Sequence, residues 1–158
     1  MSDTPVKPAF DAASAEPRKV KSVYPQQFAA RMEGRTKRVL GDVFDLTNFG
    51  VNHTTLAPGG ESALLHKHSS QDEFIYILAG EVVLVTESGE QVMKAGMCAG
   101  FPAGGEAHQL VNRSGADAVI LEVGDRSADD TVDYPQDDMK ATFTPDGWVF
   151  TKKGGSGY

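Results

Sequence analysis

Four histidines occur in the chain, and three of them, His66, His68 and His108, stand where they could share a ligand. Only Lys67 separates His66 from His68. Residues i and i+2 of a strand project from one face, so both imidazoles leave one side and Lys67 the other. The polar segment Ser69-Ser70-Gln71-Asp72 reads as a turn, and Glu73 then opens the run Phe74-Ile75-Tyr76-Ile77-Leu78. Pairing of the two strands through that turn would return Glu73 to the imidazoles. His108 opens a further strand, with Leu110 and Asn112 on its own face. Three imidazoles and one carboxylate converging inside a barrel make an N/O ligand set suited to Fe(II), Mn(II), Ni(II), Cu(II) or Zn(II). Four protein ligands leave up to two positions on a six-coordinate ion for water, substrate or dioxygen. The fourth histidine, His53, stands alone within residues 51–56 and reads as an ordinary strand or surface residue.

The elements that must position these residues read as β. Short runs rich in Val, Ile, Phe, Tyr and Thr cover residues 37–43, 49–57, 63–67, 73–78, 81–87, 91–94, 107–112 and 118–123. Gly-rich turns such as Ala57-Pro58-Gly59-Gly60 and Pro102-Ala103-Gly104-Gly105 separate them. Strands at that spacing predict a sandwich or barrel, and the 17 glycines suit its tight turns. Residues 1–25 carry Pro5, Pro8, Pro17 and Pro25 with no strand or helix period, and read as an arm, flexible or docked on a neighbour. Val20, Val23, Tyr24 and Phe28 would anchor it, with a short helical turn over residues 25–31. Residues 26–158 form the single domain. After residue 125 an acidic run (Asp129, Asp130, Asp133, Asp137, Asp138) reads as a solvated loop. A hairpin over residues 139–144 and 148–152 follows, turning through Pro145-Asp146-Gly147.

Composition narrows the function classes. The net charge is −7, from 15 Lys+Arg against 22 Asp+Glu, which disfavours nucleic acid and anionic membrane surfaces as partners. One cysteine, Cys98, permits neither an intramolecular disulfide nor a thiolate zinc site, and its apolar setting reads as a buried, inert thiol. No signal-type leader or membrane-length apolar run occurs, so a cytoplasmic location is expected.

The glycine spacing around the histidines raises the specificity of the metal reading. Gly60, His66, His68, Glu73 and Gly80 are separated by five, one, four and six residues. Gly96, Pro102, Gly104, His108 and Asn112 follow with gaps of five, one, three and three. This resembles the two-part signature of the cupin superfamily; the first part matches throughout, and the second carries one extra residue between Gly104 and His108. The stretches Lys37–Asp42, Asp72–Tyr76, Ala99–Gly104 and Leu121–Arg126 are similar to small bacterial single-domain cupins. The resemblance implies a double-stranded β-helix, an all-β jelly-roll barrel, with the N-terminal arm and C-terminal hairpin outside it. It implies His66, His68, Glu73 and His108 as ligands of one divalent transition metal per chain. It also implies a homodimer, with the arm reaching a partner subunit, and structural roles for Gly60, Gly80, Gly96 and Asn112.

Strand parity sketches the wall around such a metal. Leu64 shares the face of the two histidines; Ile75, Ile77 and Ala79 share that of Glu73; Leu110 shares that of His108. No Lys or Arg falls on these faces, which weighs against a phosphorylated substrate and hence against a sugar-phosphate isomerase. Phe101 and Tyr76 are expected in core packing rather than at a rim. The expectation is a metal-dependent oxygenase-like or isomerase-like enzyme on a small organic molecule, with Glu73 as the catalytic base. The alternative is a non-catalytic binding or sensing module, and a purely structural cupin is the third class.

Overall fold

The computed structural model describes residues 8–158; the first seven residues of the expected arm lie outside the described residues. Alternation of side chains builds the main sheet. In β4 (Glu73–Ala79) the buried Ile75 and Ile77 alternate with the exposed Phe74, Tyr76 and Leu78. Antiparallel neighbours extend that pattern in the order β1 (Arg35–Val39), β2 (Phe49–Leu56), β9 (Ala118–Asp125), β4, β7 (Cys98–Phe101). A second sheet orders β12 (Gly147–Thr151), β11 (Lys140–Thr144), β10 (Thr131–Asp133) and β3 (Lys67–His68). A third orders β6 (Gly89–Lys94), β5 (Glu81–Thr86) and β8 (His108–Val111). The fold is mostly β and antiparallel throughout, as expected.

Two corrections matter for the site. The strands flanking Ser69–Asp72 do not pair: β3 pairs with β10, and β4 with β9 and β7. β3 and β4 enter different sheets, and the imidazoles meet Glu73 between sheets rather than along a hairpin. The strand expected over residues 37–43 begins earlier, at Arg35, and ends at Val39, where Leu40–Val43 turn into the short helix α2. Strands β7 and β10 were not expected. The C-terminal hairpin is present, with Gly147 at φ +108° in its turn.

Two apolar clusters fill the structure. One contains Leu56, Ile75, Ile77, Val82, Met93, Leu110, Ala118 and Ile120. The other contains Met32, Leu64, Val132, Tyr134, Met139 and Ala141, with Tyr24, Phe28, Trp148 and Phe150 against it. The described part of the arm, residues 8–25, lies along the barrel of its own chain. The Arg18 amide donates to the Lys37 carbonyl at 2.8 Å, and Arg38 Nε donates to the Ala15 carbonyl at 2.9 Å. A short helix over Gln26–Ala29 and a 3-10 turn over Ala30–Met32 carry Met32 into the second cluster. Of the four expected anchors, Tyr24 and Phe28 pack while Val20 and Val23 stay exposed.

Candidate metal centre

His66 and His108 lie opposite each other on neighbouring strands, joined by reciprocal backbone hydrogen bonds of 3.2 and 2.9 Å. His68 comes from β3 and Glu73 from the head of β4. All three rings present Nε2 to one carboxylate. His66 Nε2 is 3.3 Å from Glu73 Oε2, His68 Nε2 is 3.1 Å from Oε1, and His108 Nε2 is 2.5 Å from Oε2. Each Nδ1 faces an acceptor instead: the Leu64 carbonyl at 2.8 Å, the Asp130 carboxylate at 2.5 Å and the Glu106 carbonyl at 3.3 Å respectively. An Nδ1 that donates leaves Nε2 with its lone pair free, the tautomer a metal requires.

The donor set therefore fits a transition ion. Bonds of about 2.1 Å at right angles place neighbouring ligand atoms about 3 Å apart, close to the spacings observed around Glu73. The donor atoms of His66, His68 and Glu73 all lie within 4.8 Å of one another. The expected fourth residue, His108, adjoins this triad through Glu73 and is held flat by Phe101, whose ring stacks on it at 3.5 Å and 3°. Phe101 packs against the first apolar cluster, as expected, while also lining the cavity beside His108, whereas Tyr76 faces outward at 38% exposure.

Electrostatics agree with the geometry. Burial alone would raise the Glu73 carboxyl, but the surrounding imidazoles outweigh it and hold the group well below the usual carboxylate range. Burial likewise disfavours the His68 cation, yet Glu73 and Asp130 together push it up to about 9. Asp130 corrects the sequence reading most sharply. It was expected in a solvated loop, and it is fully buried. It accepts from the Ser70 and Gln71 amides at 2.8 and 3.1 Å while holding His68. No local signal marks it among its acidic neighbours.

The centre opens on a cavity of about 440 Å³. Ile75, Leu110 and Val132 line it, as do Tyr24, Tyr134, Trp148 and Phe150. Leu64 does not; it is buried in the second cluster. The expectation of a wall free of Lys and Arg is overturned, because Arg18, Arg35 and Lys37 line the same cavity. Parity was counted on the motif strands alone. β1 belongs to the same sheet, and register places Lys37 beside Thr54 and Asn52 beside Glu122 on the inner face. Lys37 Nζ lies 3.8 Å from Glu122 Oε1, which also accepts the Thr54 hydroxyl. Burial pulls the Lys37 ammonium below its ordinary value.

The remaining expected residues lie apart from the cavity. Asn112 is fully buried and donates to the Leu56 and Ala116 carbonyls, both at 2.8 Å. Gly60 packs so closely that a Cβ would stand 2.7 Å from the Gly34 carbonyl oxygen. His53 sits on the outer face of the main sheet opposite Leu121. Cys98 is exposed there rather than buried, because β7 turns it outward opposite Tyr76.

Comparison with known proteins follows the same lines. The family pattern described as cupin domain matches residues 52–124. A sugar phosphate isomerase of the cupin superfamily from Silicibacter pomeroyi is 44% identical, with 96% of each chain covered and a TM-score of 0.89. A structure from Acidithiobacillus ferrooxidans, provisionally described as a sugar phosphate isomerase, is 27% identical over 85% of this chain and 94% of its own, with a TM-score of 0.71. An oxalate-binding protein from Thermotoga maritima is 39% identical over 67 residues, 42% of this chain. The match spans 54% of that relative, about half its length. Near-complete overlap with a cupin at 44% identity, and histidines from both halves of the signature meeting at one cavity, lead to a single conclusion: this chain belongs to the cupin superfamily.

Proposed function

We propose that the chain binds one divalent transition metal (Fe, Mn, Ni, Cu or Zn) through His66, His68, Glu73 and His108, and acts as an isomerase-like enzyme on a small oxygen-rich molecule. The observation that carries this is the convergence of three Nε2 atoms on one carboxylate at the edge of a cavity of small-molecule size. When bound, the metal supplies Lewis acidity toward a chelating oxygen pair. The chain's own residues do the rest. Three imidazoles fix the donor geometry. Glu73 stays ionised, and on being displaced from the ion by substrate its carboxylate would serve as the proton acceptor. The Tyr24 and Tyr134 phenols, pushed up by burial, remain neutral lining groups. The isomerase form is preferred over an oxygenase because the two structures above that cover 96% and 85% of this chain are described as sugar phosphate isomerases, the second provisionally.

The test is metal content with solvent-hydrogen exchange. Purified protein carries about one metal per chain, and the metal-loaded form catalyses deuterium uptake at the carbon next to the carbonyl of a hydroxy-aldehyde or hydroxy-ketone panel, followed by NMR. A His66→Ala/His68→Ala double variant that retains its metal would overturn the site. A second reading, a non-catalytic binding module, is favoured by the oxalate-binding relative. Saturable oxalate binding without any exchange would select it. We also propose a homodimer. Phe74, Tyr76 and Leu78 stand exposed on the outer face of the main sheet, beside Leu121 and Val123 of β9.

A further inference from the structure

Three arginines line the cavity; Arg126 pairs with Asp42, whereas Arg18 and Arg35 have no carboxylate partner among the described residues. Arg35 is 5% exposed. Its Nη1 donates to the Ser62 carbonyl at 2.6 Å and its Nη2 to the Lys21 carbonyl at 2.8 Å. Its Nε is buried with no acceptor at all. Arg18 donates through Nε to the Val20 carbonyl at 2.7 Å and through Nη2 to the same Lys21 carbonyl at 3.0 Å. One carbonyl oxygen thus holds two guanidinium groups side by side. Lys37 follows Arg35 on the inward face of β1, and the Arg18 amide is bonded to the Lys37 carbonyl.

The charges do not balance. Glu122 is the carboxylate in contact with this group, at 3.8 Å from Lys37. The other acids of the wall are engaged elsewhere. Asp42 pairs with Arg126, Asp125 accepts from Asp72 and Ser127, and Glu73 belongs to the histidines. Burial makes the charged forms of Arg18 and Lys37 harder to maintain, and Arg35 adds to it, against the opposing pull of Glu122. Apart from the Arg126–Asp42 pair, three cations cluster against one carboxylate, a local excess that water solvates poorly in a part-buried wall. A buried cation without a partner is costly unless something anionic meets it.

We propose that Arg18, Arg35 and Lys37 form an anion subsite that takes one phosphate or carboxylate group of the cavity's ligand, at a position separate from the metal centre. The arm then becomes part of the binding site, because Arg18 and the Lys21 carbonyl come from it. This rests on the reading that the cavity holds a small molecule, and it narrows the class. The ligand carries chelating oxygens at one end and an anionic group at the other. An arginine fork and an ammonium suit either anion.

The test uses the full chain with inorganic phosphate and, in parallel, malonate as probes, titrated calorimetrically. Both the metal-loaded and the chelator-treated protein are used. Arg35→Ala strips donors from two backbone carbonyls and risks misfolding, so Lys37→Gln and Arg18→Gln carry the test, with thermal unfolding to verify their fold. Phosphate binding should survive chelation and weaken about tenfold in each variant, the loss of one charge-assisted contact. Tighter phosphate than malonate assigns a phosphorylated ligand, and the reverse order a dicarboxylate. Binding that vanishes on chelation, or that is equal in wild type and Lys37→Gln, overturns the subsite. Phosphate binding that meets the expectation establishes the subsite even where no substrate turns over, whereas turnover with no such binding sinks the subsite and leaves the isomerase reading standing.

Discussion

At the residue scale the centre is organised by what each imidazole does with its second nitrogen. Asp130 holds the His68 Nδ1, and replacing it with Asn leaves a neutral amide oxygen in place of the carboxylate. Asp130→Asn should reduce metal affinity about 10- to 100-fold, read by competition with a chromophoric chelator. It should also cost about 1–3 kcal/mol of stability in urea titration, since two amides lose a charged acceptor. His68 further sets a pH dependence. Its folded value of about 9 lies above the ordinary 6.5, so in the metal-free chain its stabilising contribution is complete below pH 6.5 and is lost as pH rises through about 9. A metal needs the neutral ring, so metal uptake at pH 7 should release a proton, measurable in weak buffer, and affinity should rise with pH toward 9. The clustering of His66, His68, Glu73 and His108 was legible in the chain through the His-x-His spacing and the glycine pattern that resembles the cupin signature. Asp130 was not, because it becomes the partner of His68 only through contacts 62 residues apart.

At the element scale, strands bounded by glycine turns were read nearly to their ends, as β4, β5 and β9 illustrate. Gly80 shows why such turns are dependable. Its φ is +78°, and a Cβ there would lie 2.6 Å from the Asp117 carbonyl oxygen. Gly80→Ala should therefore cost about 1–3 kcal/mol, seen as a lower urea midpoint with unchanged slope. β7 and β10 escaped the reading for opposite reasons. Cys98-Ala99-Gly100-Phe101 lacks β-branched residues, and Thr131-Val132-Asp133 is three residues inside an acidic run. Both are strands because neighbours pair with them, a tertiary effect that local propensity does not encode. The cationic wall was missed in the same way. Lys37 was visible as a residue, but its facing depended on β1 joining the main sheet.

At the scale of the whole molecule, the outer face of the main sheet carries exposed Phe74, Tyr76 and Leu78, while the ligand cavity lies on the inner side. Interfaces of about 800 Å² per partner are ordinary for stable dimers. A Tyr76→Lys/Leu78→Lys variant should shift the light-scattering mass from two chains to one without loss of bound metal. Among the described residues no helix is long and apolar enough to cross a membrane. The cavity also joins distant parts of the chain: Arg18 from the arm, the histidines from the middle, and Trp148 and Phe150 from the hairpin. That arrangement orders events during synthesis. When residue 108 has left the ribosome, all four donors exist, yet the Asp130 clamp and the aromatic roof do not. An ion captured then would sit in an open, weakly held cradle, exchanging freely with the cell's metal pool. Under the proposed metal reading, secure loading would wait until residues 130–150 have emerged and folded back, so that segment would govern how tightly an ion is kept.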